Sequence, residues 1–394
     1  RSLDFKSTDL SSAQPLGDDP LLGRGRNAQD PYRGLVTDEG QLDIPFDLRG
    51  TGFWLTGLFG DPVTTAMAAT GTINFAANPS PGDTITLNGT VWTAVSGTAS
   101  GEETEIQATV EDTLDQLVSD LNASADVEIA TCTYSRPTGT QILTVTFDTA
   151  GPTGNAFTIA ASAATVAAVT LTGGGYAHVW ESGADDIPSY TIEIGHPRLT
   201  TPVFFRHLGT VMESLNVEMG QEGPANARLQ LVAQGEEQFT ATVDASPDAF
   251  SLRRFSQGRG FIRRGGSALA GVTGGSLTFS NNLERVRVIR EDGKIAAADP
   301  TFASAEGSMS VRFDGATLVA EAANGDPVSL EYGFTFPEGY ALRFELPRVF
   351  LPKPKYSVTG PGGVEASFDW RAAFDDGEGT MLRAHLLNDV ASYV

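Results

Sequence analysis

The chain has 394 residues, of which 49 are Asp or Glu and 26 are Lys or Arg, so its formal net charge is −23. This charge argues against a sequence-specific DNA-binding protein, because such a protein needs a basic face to neutralise phosphate. An acidic wall would still let nucleic acid slide past without sticking, although solubility alone explains the same charge. At about 100 to 200 residues per domain the length predicts about three domains, and the single cysteine, Cys132, excludes an internal disulfide framework.

Residues 1–38 have little hydrophobic periodicity and are interrupted by Gly-Asp-Asp-Pro and Gly-Arg-Gly-Arg. Such a segment has too little apolar surface to fold alone. We therefore predict an extended N-terminal arm that is either disordered or lies on a neighbour.

Membrane and export signals are not apparent in the sequence. No signal peptide is visible, and the longest apolar run, residues 156–171, is diluted by Ser and Thr and is too short to span a bilayer. We therefore expect a soluble protein without a membrane partner.

A strand and a short helix follow the arm, and this pair occurs twice. An alternating run at residues 39–47 ends in Phe-Asp, and residues 51–59 form an apolar helix that stops at Gly-Asp-Pro. Residues 306–314 repeat the strand, and residues 316–323 repeat the helix before a second Gly-Asp-Pro. Glycine ends a helix in the left-handed conformation, and proline cannot continue it. Two copies predict two like domains.

The composition of residues 63–175 marks an inserted domain. Between residues 68 and 175 one basic residue, Arg136, stands against eleven acidic ones. Asn88-Gly89 predicts a type I′ hairpin, because both residues tolerate positive φ, and residues 111–121 have the apolar spacing of a helix with acids at its start. Further strands are predicted at 141–147, 156–161 and 166–172. We expect a small β-rich module with one helix that projects from an exposed connection of the first copy.

The two copies are predicted to resume in step after the insert. The expected matches are 176–180 with 328–332, 190–194 with 340–346, 211–219 with 364–372, and 227–233 with 380–387. The first domain would then comprise residues 39–62 and 176–234. A linker at residues 235–271 would lead to the second domain at residues 272–394.

Two groups of side chains are candidates for contacts between subunits. The short helix is apolar on more than one side, so part of it is expected to meet a neighbouring subunit, with packing of the whole set on its own sheet as the alternative. These residues are Phe53, Trp54, Leu55, Leu58 and Phe59. The linker carries an arginine cluster that we expect to contact carboxylates of a neighbouring subunit, with phosphate as the alternative. The cluster is Arg253, Arg254, Arg259, Arg263 and Arg264.

No catalytic or metal-binding pattern occurs in the sequence. The four histidines, at 178, 196, 207 and 385, have no metal-ligand spacing, and a His-Glu-x-x-His motif, a Cys-x-x-Cys pair, a phosphate loop and a Gly-x-Ser-x-Gly elbow are absent. We therefore predict no enzymatic activity, no metal and no cofactor. A carbohydrate-active enzyme is the weakest alternative, since its two catalytic carboxylates would be hidden among the many acids of this chain.

The duplicated layout resembles the tail tube, or major tail, proteins of long-tailed bacteriophages. The resemblance is carried by the repeated Phe-Asp, short helix and Gly-Asp-Pro, by residues 188–195, and by the C-terminal run from residue 367 to residue 389. It covers residues 1–62 and 176–394, whereas the middle domain is similar to the β-sandwich decorations inserted in phage virion proteins. The resemblance implies a mainly β fold of the sandwich or barrel type, located in the virion tail after assembly in the host bacterial cytoplasm.

The resemblance also implies partners. Stacked rings of the chain would surround a lumen that holds the tape-measure protein and later conducts DNA, with tail terminator and tip proteins at the ends. Strand-rich domains with open edges pair edge to edge, and ring closure satisfies those edges. The resemblance implies that simple tubes are built from rings of six single-domain subunits. A chain with two such domains would fill the same ring as a homotrimer with pseudo-sixfold symmetry. The alternative is a modular β-sandwich surface or adhesin-type protein, although such modules normally follow one another rather than interrupt one another.

Overall fold

The computed structural model describes residues 1–22, 26–269, 271–312, 324–352, 355–356 and 365–393. For residues 355, 356, 365 and 366 only the backbone is described. The predicted second helix and the Phe-Asp before it, at residues 313–323, lie outside these ranges. The described part of the chain contains two α-helices and is otherwise built mainly of strands, so the prediction of a mainly β fold is confirmed.

The elements follow one another in this order. The first third of the chain holds β1 (Ser7–Thr8), β2 (Ser11–Ala13), β3 (Leu16–Gly17), β4 (Tyr32–Arg33), β5 (Thr37–Pro45), α1 (Thr51–Phe59) and β6 (Val63–Met67). The insert holds β7 (Thr70–Asn74), β8 (Thr84–Leu87), β9 (Thr90–Val95), β10 (Glu103–Glu105), α2 (Val110–Asn122), β11 (Cys132–Ser135), β12 (Ile142–Phe147), β13 (Ile159–Ala161) and β14 (Thr165–Val166). The chain continues with β15 (Gly175–Glu181), β16 (Tyr190–His196), β17 (Val203–Met219), β18 (Asn226–Ala233), β19 (Gly235–Phe239), β20 (Gly260–Arg264), β21 (Ser267–Ala268) and β22 (Val272–Ser280). It ends with β23 (Glu284–Val286), β24 (Ala297–Asp299), β25 (Ser304–Arg312), β26 (Val328–Thr335), β27 (Ala341–Phe350), β28 (Lys355–Tyr356), β29 (Glu365–Ala372) and β30 (Arg383–Asn388).

A single antiparallel sheet runs through both copies of the repeat. Its order is the N-terminal arm (β1 and β2), then β5, β18, β17, β22, β25, β29 and β28. Alternate residues of these strands are buried, as Leu277 and Phe279 are in β22, whereas their neighbours remain partly exposed. One face of the sheet is therefore apolar and the other polar, which is the pattern of an antiparallel sheet with one solvated face.

The apolar face covers one core to which both copies contribute. Phe46, just after β5, is fully buried, and its ring centroid lies 6.0 Å from that of Phe334 and 6.2 Å from that of Phe344 in the second copy. The same cluster of buried residues includes Ile44 and Phe368. The two copies therefore share this core.

Strand pairing relates the two copies differently from the sequence prediction. β5 pairs with β18, and β17 pairs with β18, β16 and β19. In the second copy β25 pairs with β29, and β27 pairs with β29, β26 and β30. Thus β16 corresponds to β26, β18 to β29 and β19 to β30. The long strand β17 corresponds to β27 together with β28. The glycine of the repeated strand occupies the same place in both copies: Gly40 lies opposite Leu231 on β18, and Gly307 lies opposite Trp370 on β29.

The expected matches of 176–180 with 328–332, 190–194 with 340–346, 211–219 with 364–372 and 227–233 with 380–387 are therefore wrong. In the observed correspondence the Ile-Glu-Ile-Gly of residues 192–195 matches the Leu-Glu-Tyr-Gly of residues 330–333. Apolar alternation sets which face of a strand is buried but does not name its partner, so several strands fitted equally well.

A two-stranded stalk, β6 with β15, carries the insert. Val63 lies opposite Val179 and Met67 opposite Gly175, and β15 also pairs with β30 of the second copy. In the second copy Pro327 leads directly into β26, so both stalk strands are additions to the first copy.

Beyond the stalk, residues 69–171 have a hydrophobic core of their own under two four-stranded sheets. The hairpin prediction is confirmed, because Asn88 and Gly89 have φ of 46° and 95° between β8 and β9. The helix prediction is also confirmed by α2, whose first turn is capped by Thr109, which accepts a hydrogen bond from the Asp112 N–H at 3.1 Å. The strands predicted at 156–161 and 166–172 are shorter than expected, because a 3₁₀ turn at Pro152–Ala156 takes up the start of the first.

Removal of the insert at the stalk tests this arrangement. Met67 and Gly175 are directly opposed, so deleting residues 68–174 and joining them by Asn-Gly completes a two-residue hairpin. We expect this variant to keep a cooperative unfolding transition and the circular dichroism of a β protein. A deletion that joins Pro62 to Tyr176 removes β6 from the edge of β15 and should be less stable. Failure of the first variant to fold would contradict the stalk assignment.

Candidate assembly and lumen surfaces

The polar face of the main sheet is lined by small polar and charged side chains. Directly opposed residues on neighbouring strands share a face, and one row across the sheet consists of Asp43, Arg228, Asn216, Thr278, Glu306 and Arg371. A second row consists of Glu218, Ser276, Ser308 and Asp369. These two rows contain no aromatic or large aliphatic side chain.

The rows are joined by hydrogen bonds across the strands. Asn216 donates from Nδ2 to Thr278 Oγ1 at 2.8 Å, and the hydroxyls of Ser276 and Ser308 lie 2.9 Å apart. These hydrogen bonds link polar side chains of neighbouring strands on this face.

Acids outnumber bases on these rows. Asp43, Glu218, Glu306 and Asp369 face two arginines, and each arginine has an acidic partner on the same face. Arg228 Nε lies 2.9 Å from Asp43 Oδ1, and this hydrogen bond, with a second from Ser7, lowers the pKa of the Asp43 carboxyl. These two rows therefore have a negative excess, and each of their two arginines has an acidic partner.

Helix α1 lies on the apolar side of the sheet. Leu55 and Leu58 are almost completely buried, Trp54 and Phe59 are buried, and the Phe59 ring centroid lies 4.5 Å from that of Phe279 on β22. These four candidate interface residues pack in the core of their own chain. Phe53 is only partly buried and is the member of the set with surface left for another subunit.

The start of α1 explains the Phe-Asp ending of the first repeat strand. Phe46 fills the core, and Asp47 Oδ1 accepts hydrogen bonds from the backbone N–H groups of Arg49 at 2.8 Å and Gly50 at 2.7 Å. The Asp47 N–H in turn donates to Thr51 Oγ1 at 3.0 Å. Burial raises the pKa of Asp47, and these donors satisfy the carboxylate at the positive end of the helix.

The C-terminus closes over α1, which the sequence reasoning missed. Tyr393 is buried, its ring centroid lies 5.0 Å from that of Phe53, and its hydroxyl donates to the Arg49 carbonyl at 2.8 Å. A Cβ on Gly52 would overlap the Tyr393 ring, and a Cβ on Gly57 would overlap Met212. Two glycines in so apolar a helix were the available signal, because glycine in a helix is costly unless another group packs closely against it.

The arginine cluster finds several partners within the chain. Arg253 lies 2.8 Å from Glu338 Oε2, and Arg263 lies 3.2 Å from Glu331 Oε1. Arg254 donates to Asn226 Oδ1 at 2.7 Å, and Arg264 ends β20. Arg259 is exposed and forms no ion pair within the part of the chain that the structure covers. The predicted contact of this cluster with a neighbouring subunit stays a prediction, and Arg259 is its most accessible member.

The four histidines occupy structural positions. His207 Nδ1 lies 2.9 Å from Asp38 Oδ1, with both side chains buried between β17 and β5. His178 contacts Thr64 Oγ1 and the Val390 carbonyl, each at 2.8 Å, and burial lowers its pKa. Burial likewise lowers the pKa of His385, whose Nε2 lies 3.0 Å from Glu345, and the fourth, His196, stacks edge-on against the Phe205 ring.

Neither a metal cluster nor a membrane helix is found in the described ranges. No group of three or more His, Cys, Asp or Glu side chains there could hold a metal ion. No helix there is long and apolar enough to cross a bilayer.

A chain whose main feature is one open-edged antiparallel sheet, with a polar face and structural histidines, has the features of a β-rich structural protein. The family model described as phage tail tube protein matches residues 3–372, nearly the whole chain. The chain therefore belongs to the phage tail tube protein family, as its sequence predicted, and this family implies a place in the virion tail and assembly with itself and with other tail proteins. No curated protein is significantly similar to it.

Substitutions in α1 separate a subunit contact from core packing. Phe53→Ala should weaken self-assembly more than it lowers the melting temperature of the unassembled chain, because part of this ring is exposed. Leu58→Ala removes a buried side chain and should lower the free energy of unfolding by about 2–5 kcal/mol. The measurements are thermal melting of the unassembled protein and sedimentation of the assembled form. Equal effects of Phe53→Ala on both would mean that the whole helix serves its own core.

Proposed function

We propose that the chain assembles into closed rings of three subunits that stack into a tail tube, with the polar face of the main sheet lining the lumen. DNA would pass through this lumen during ejection. The tape-measure protein would occupy it beforehand, and tail terminator and tip proteins would contact the end rings.

The observation that carries this proposal is the way the two copies are joined. The sheet consists of two four-strand halves, the arm with β5, β18 and β17, and β22 with β25, β29 and β28. The halves meet edge to edge, where β17 pairs with β22 from Ser214 opposite Ser280 to Met219 opposite Gly275. In the part of the chain that the structure describes, the arm and β28 are the two outer strands, and edges of this kind are where further chains add. Repetition of the same edge contact between chains would generate a ring.

The number of subunits follows from the halves. The family resemblance implies that tubes of single-domain subunits are built from rings with six positions. Each half of this chain would occupy one of these positions. Closure depends on the angle between adjacent halves, which fusion of two halves in one chain need not alter. Three chains would therefore close the ring with pseudo-sixfold symmetry. We retain two tube-like units but revise their extents: the first comprises the arm, β5, α1 and β16 to β19, with β19 taken from the predicted linker, and the second comprises β22 and β25 to β30.

The polar face fits a lumen that conducts DNA. Its acidic excess repels phosphate, so DNA would not be retained by counterion release as it is on a basic surface. Arg228 and Arg371 are each engaged by a carboxylate of the same face. The rows of Ser, Thr and Asn offer hydrogen bonds to water without a large apolar side chain to grip a passing chain.

The insert would project outside the ring. It is attached through the β6–β15 stalk, which the second half lacks, so only every second position would carry it. A modular adhesin receives less support, because separate modules would not share the core that joins Phe46 to Phe334 and Phe344.

Electron microscopy of purified tubes tests this proposal. Averages viewed down the tube axis should contain three outward protrusions per ring. Tubes of the stalk deletion variant, residues 68–174 replaced by Asn-Gly, should keep the ring and lose the protrusions, which makes that variant the matched control. Six protrusions, or protein that never forms rings, would contradict the proposal.

A further inference from the structure

The N-terminal arm is the structural counterpart of β22. Ser7 of the arm lies opposite Asp43 on β5, and Gly274 of β22 lies opposite Ser310 on β25. Each residue of the second pair follows its counterpart in the first pair by 267 positions, since 274 − 7 and 310 − 43 are both 267. The same displacement relates Ser11 opposite Glu39 to Thr278 opposite Glu306. The buried apolar residues also coincide, because Leu10 and Leu277 both enter the main core.

The arm and β22 differ in the number of their partners. β22 is hydrogen-bonded on both sides, to β25 and to β17. Of the strands that the structure describes, only β5 pairs with the arm, and Ser7, Asp9, Ser11 and Ala13 are exposed. The side of the arm that corresponds to the β17 side of β22 is therefore open.

The counterpart of β17 in the second half is β28. β18 matches β29, so Asn216 opposite Arg228 corresponds to Lys355 opposite Ser367. β17 uses its other side to pair with β22. Within the described ranges β28 pairs with β29 alone. Among the described residues, the sheet of each chain thus begins with a counterpart of β22 and ends with a counterpart of β17, and each of the two lacks its second neighbouring strand.

We propose that the N-terminal arm of one subunit pairs antiparallel with β28 of the next subunit and so closes the ring. The register follows from the internal contact, in which Thr278 lies opposite Asn216 and Leu277 opposite Val217. Ser11 of one chain then lies opposite Lys355 of the next, and Leu10 lies opposite Tyr356. This inference rests on the proposed ring, and it adds the two surfaces and their register.

The arm that pairs with β28 comes from a second copy of this chain and not from the same chain. The arm and β28 are at opposite ends of one sheet, and the arm is already held by β5 of its own chain. The charges agree with this pairing. In this register Asp9 would lie diagonally across from Lys355. A lysine on an edge opposes pairing of that edge with an identical one, whereas the Asp9 carboxylate attracts it.

Disulfide trapping in assembled protein tests the register. Chains with Ser11→Cys and chains with Lys355→Cys are mixed, assembled under reducing conditions and then oxidised. Directly opposed residues of antiparallel strands have Cα atoms about 4.5–5.5 Å apart, which is within the range of a disulfide. We expect a covalent dimer only in the mixture, and a ladder ending at a closed trimer when both substitutions are in one chain. The native Cys132 should not interfere, because burial raises the pKa of its thiol to about 11.

Two control pairs calibrate this experiment. Asn216→Cys with Thr278→Cys reproduces the same contact inside one chain and should close without change of mass. Ser12→Cys with Lys355→Cys shifts the register by one residue, which turns the side chain to the other face of the sheet, and should give little product. Leu10→Cys with Tyr356→Cys, which lie opposite each other in the same register as Leu277 and Val217, is a second test pair if Lys355→Cys impairs folding.

The outcomes separate this inference from the proposed function. Tubes that are visible by negative stain but give no intermolecular product at either test pair, while the internal pair closes, would overturn the arm contact and leave the tube proposal standing. Wild-type protein that forms no rings would overturn both.

Discussion

The antiparallel pairing of β17 with β22 is the contact on which the rest of the molecule depends. It places Leu215 against Phe279 and Val217 against Leu277 on the apolar side, and Asn216 against Thr278 on the polar side. Two four-strand halves thereby become one sheet, with one core beneath it and one polar face above it. An edge strand left open would expose a row of unpaired N–H and C=O groups, so this contact also protects the protein from arbitrary association. The same requirement remains at the two outer edges of the chain, and self-assembly is the way we propose that it is met.

The packing beneath the sheet keeps its shape fixed. α1 lies against the apolar side, and Gly52 and Gly57 let Tyr393 and Met212 approach its backbone. Asn388 donates to the Leu48 carbonyl at 2.6 Å, and Arg49 Nε donates to Asp389 Oδ1 at 2.8 Å, so the last strand is tied to the helix start. These are buried or partly buried contacts, for which loss of one partner leaves the other unsatisfied. A rigid pair of halves gives a defined angle between successive edges, and a defined angle is what ring closure needs.

The sequence predicted local structure much better than pairing. The Gly-Asp-Pro stop and the crowded apolar run located α1, and Asn88-Gly89 located a hairpin. The sequence did not predict which strands of the two copies correspond. As sequence, the segment around Ile192 is no more similar to the segment around Leu330 than to the segment around Leu342. Only the pairing of β16 with β17 and of β26 with β27 shows that Ile192 matches Leu330. The packing of the α1 side chains depends on Tyr393 and Phe279, which are far away in sequence. The polar rows of the proposed lumen face could not be foreseen, since each takes residues from strands of both halves.

The most direct test of this account is a reconstruction of the assembled tube at a resolution that separates strands. We predict that the strand spacing across the boundary between subunits equals the spacing between β17 and β22, about 4.7–4.9 Å, with the N-terminal arm as the linking strand. The polar rows should face the axis. A wider gap at the boundary, or an arm that lies on another ring, would contradict the claim that one edge contact, used inside the chain and between chains, builds the tube.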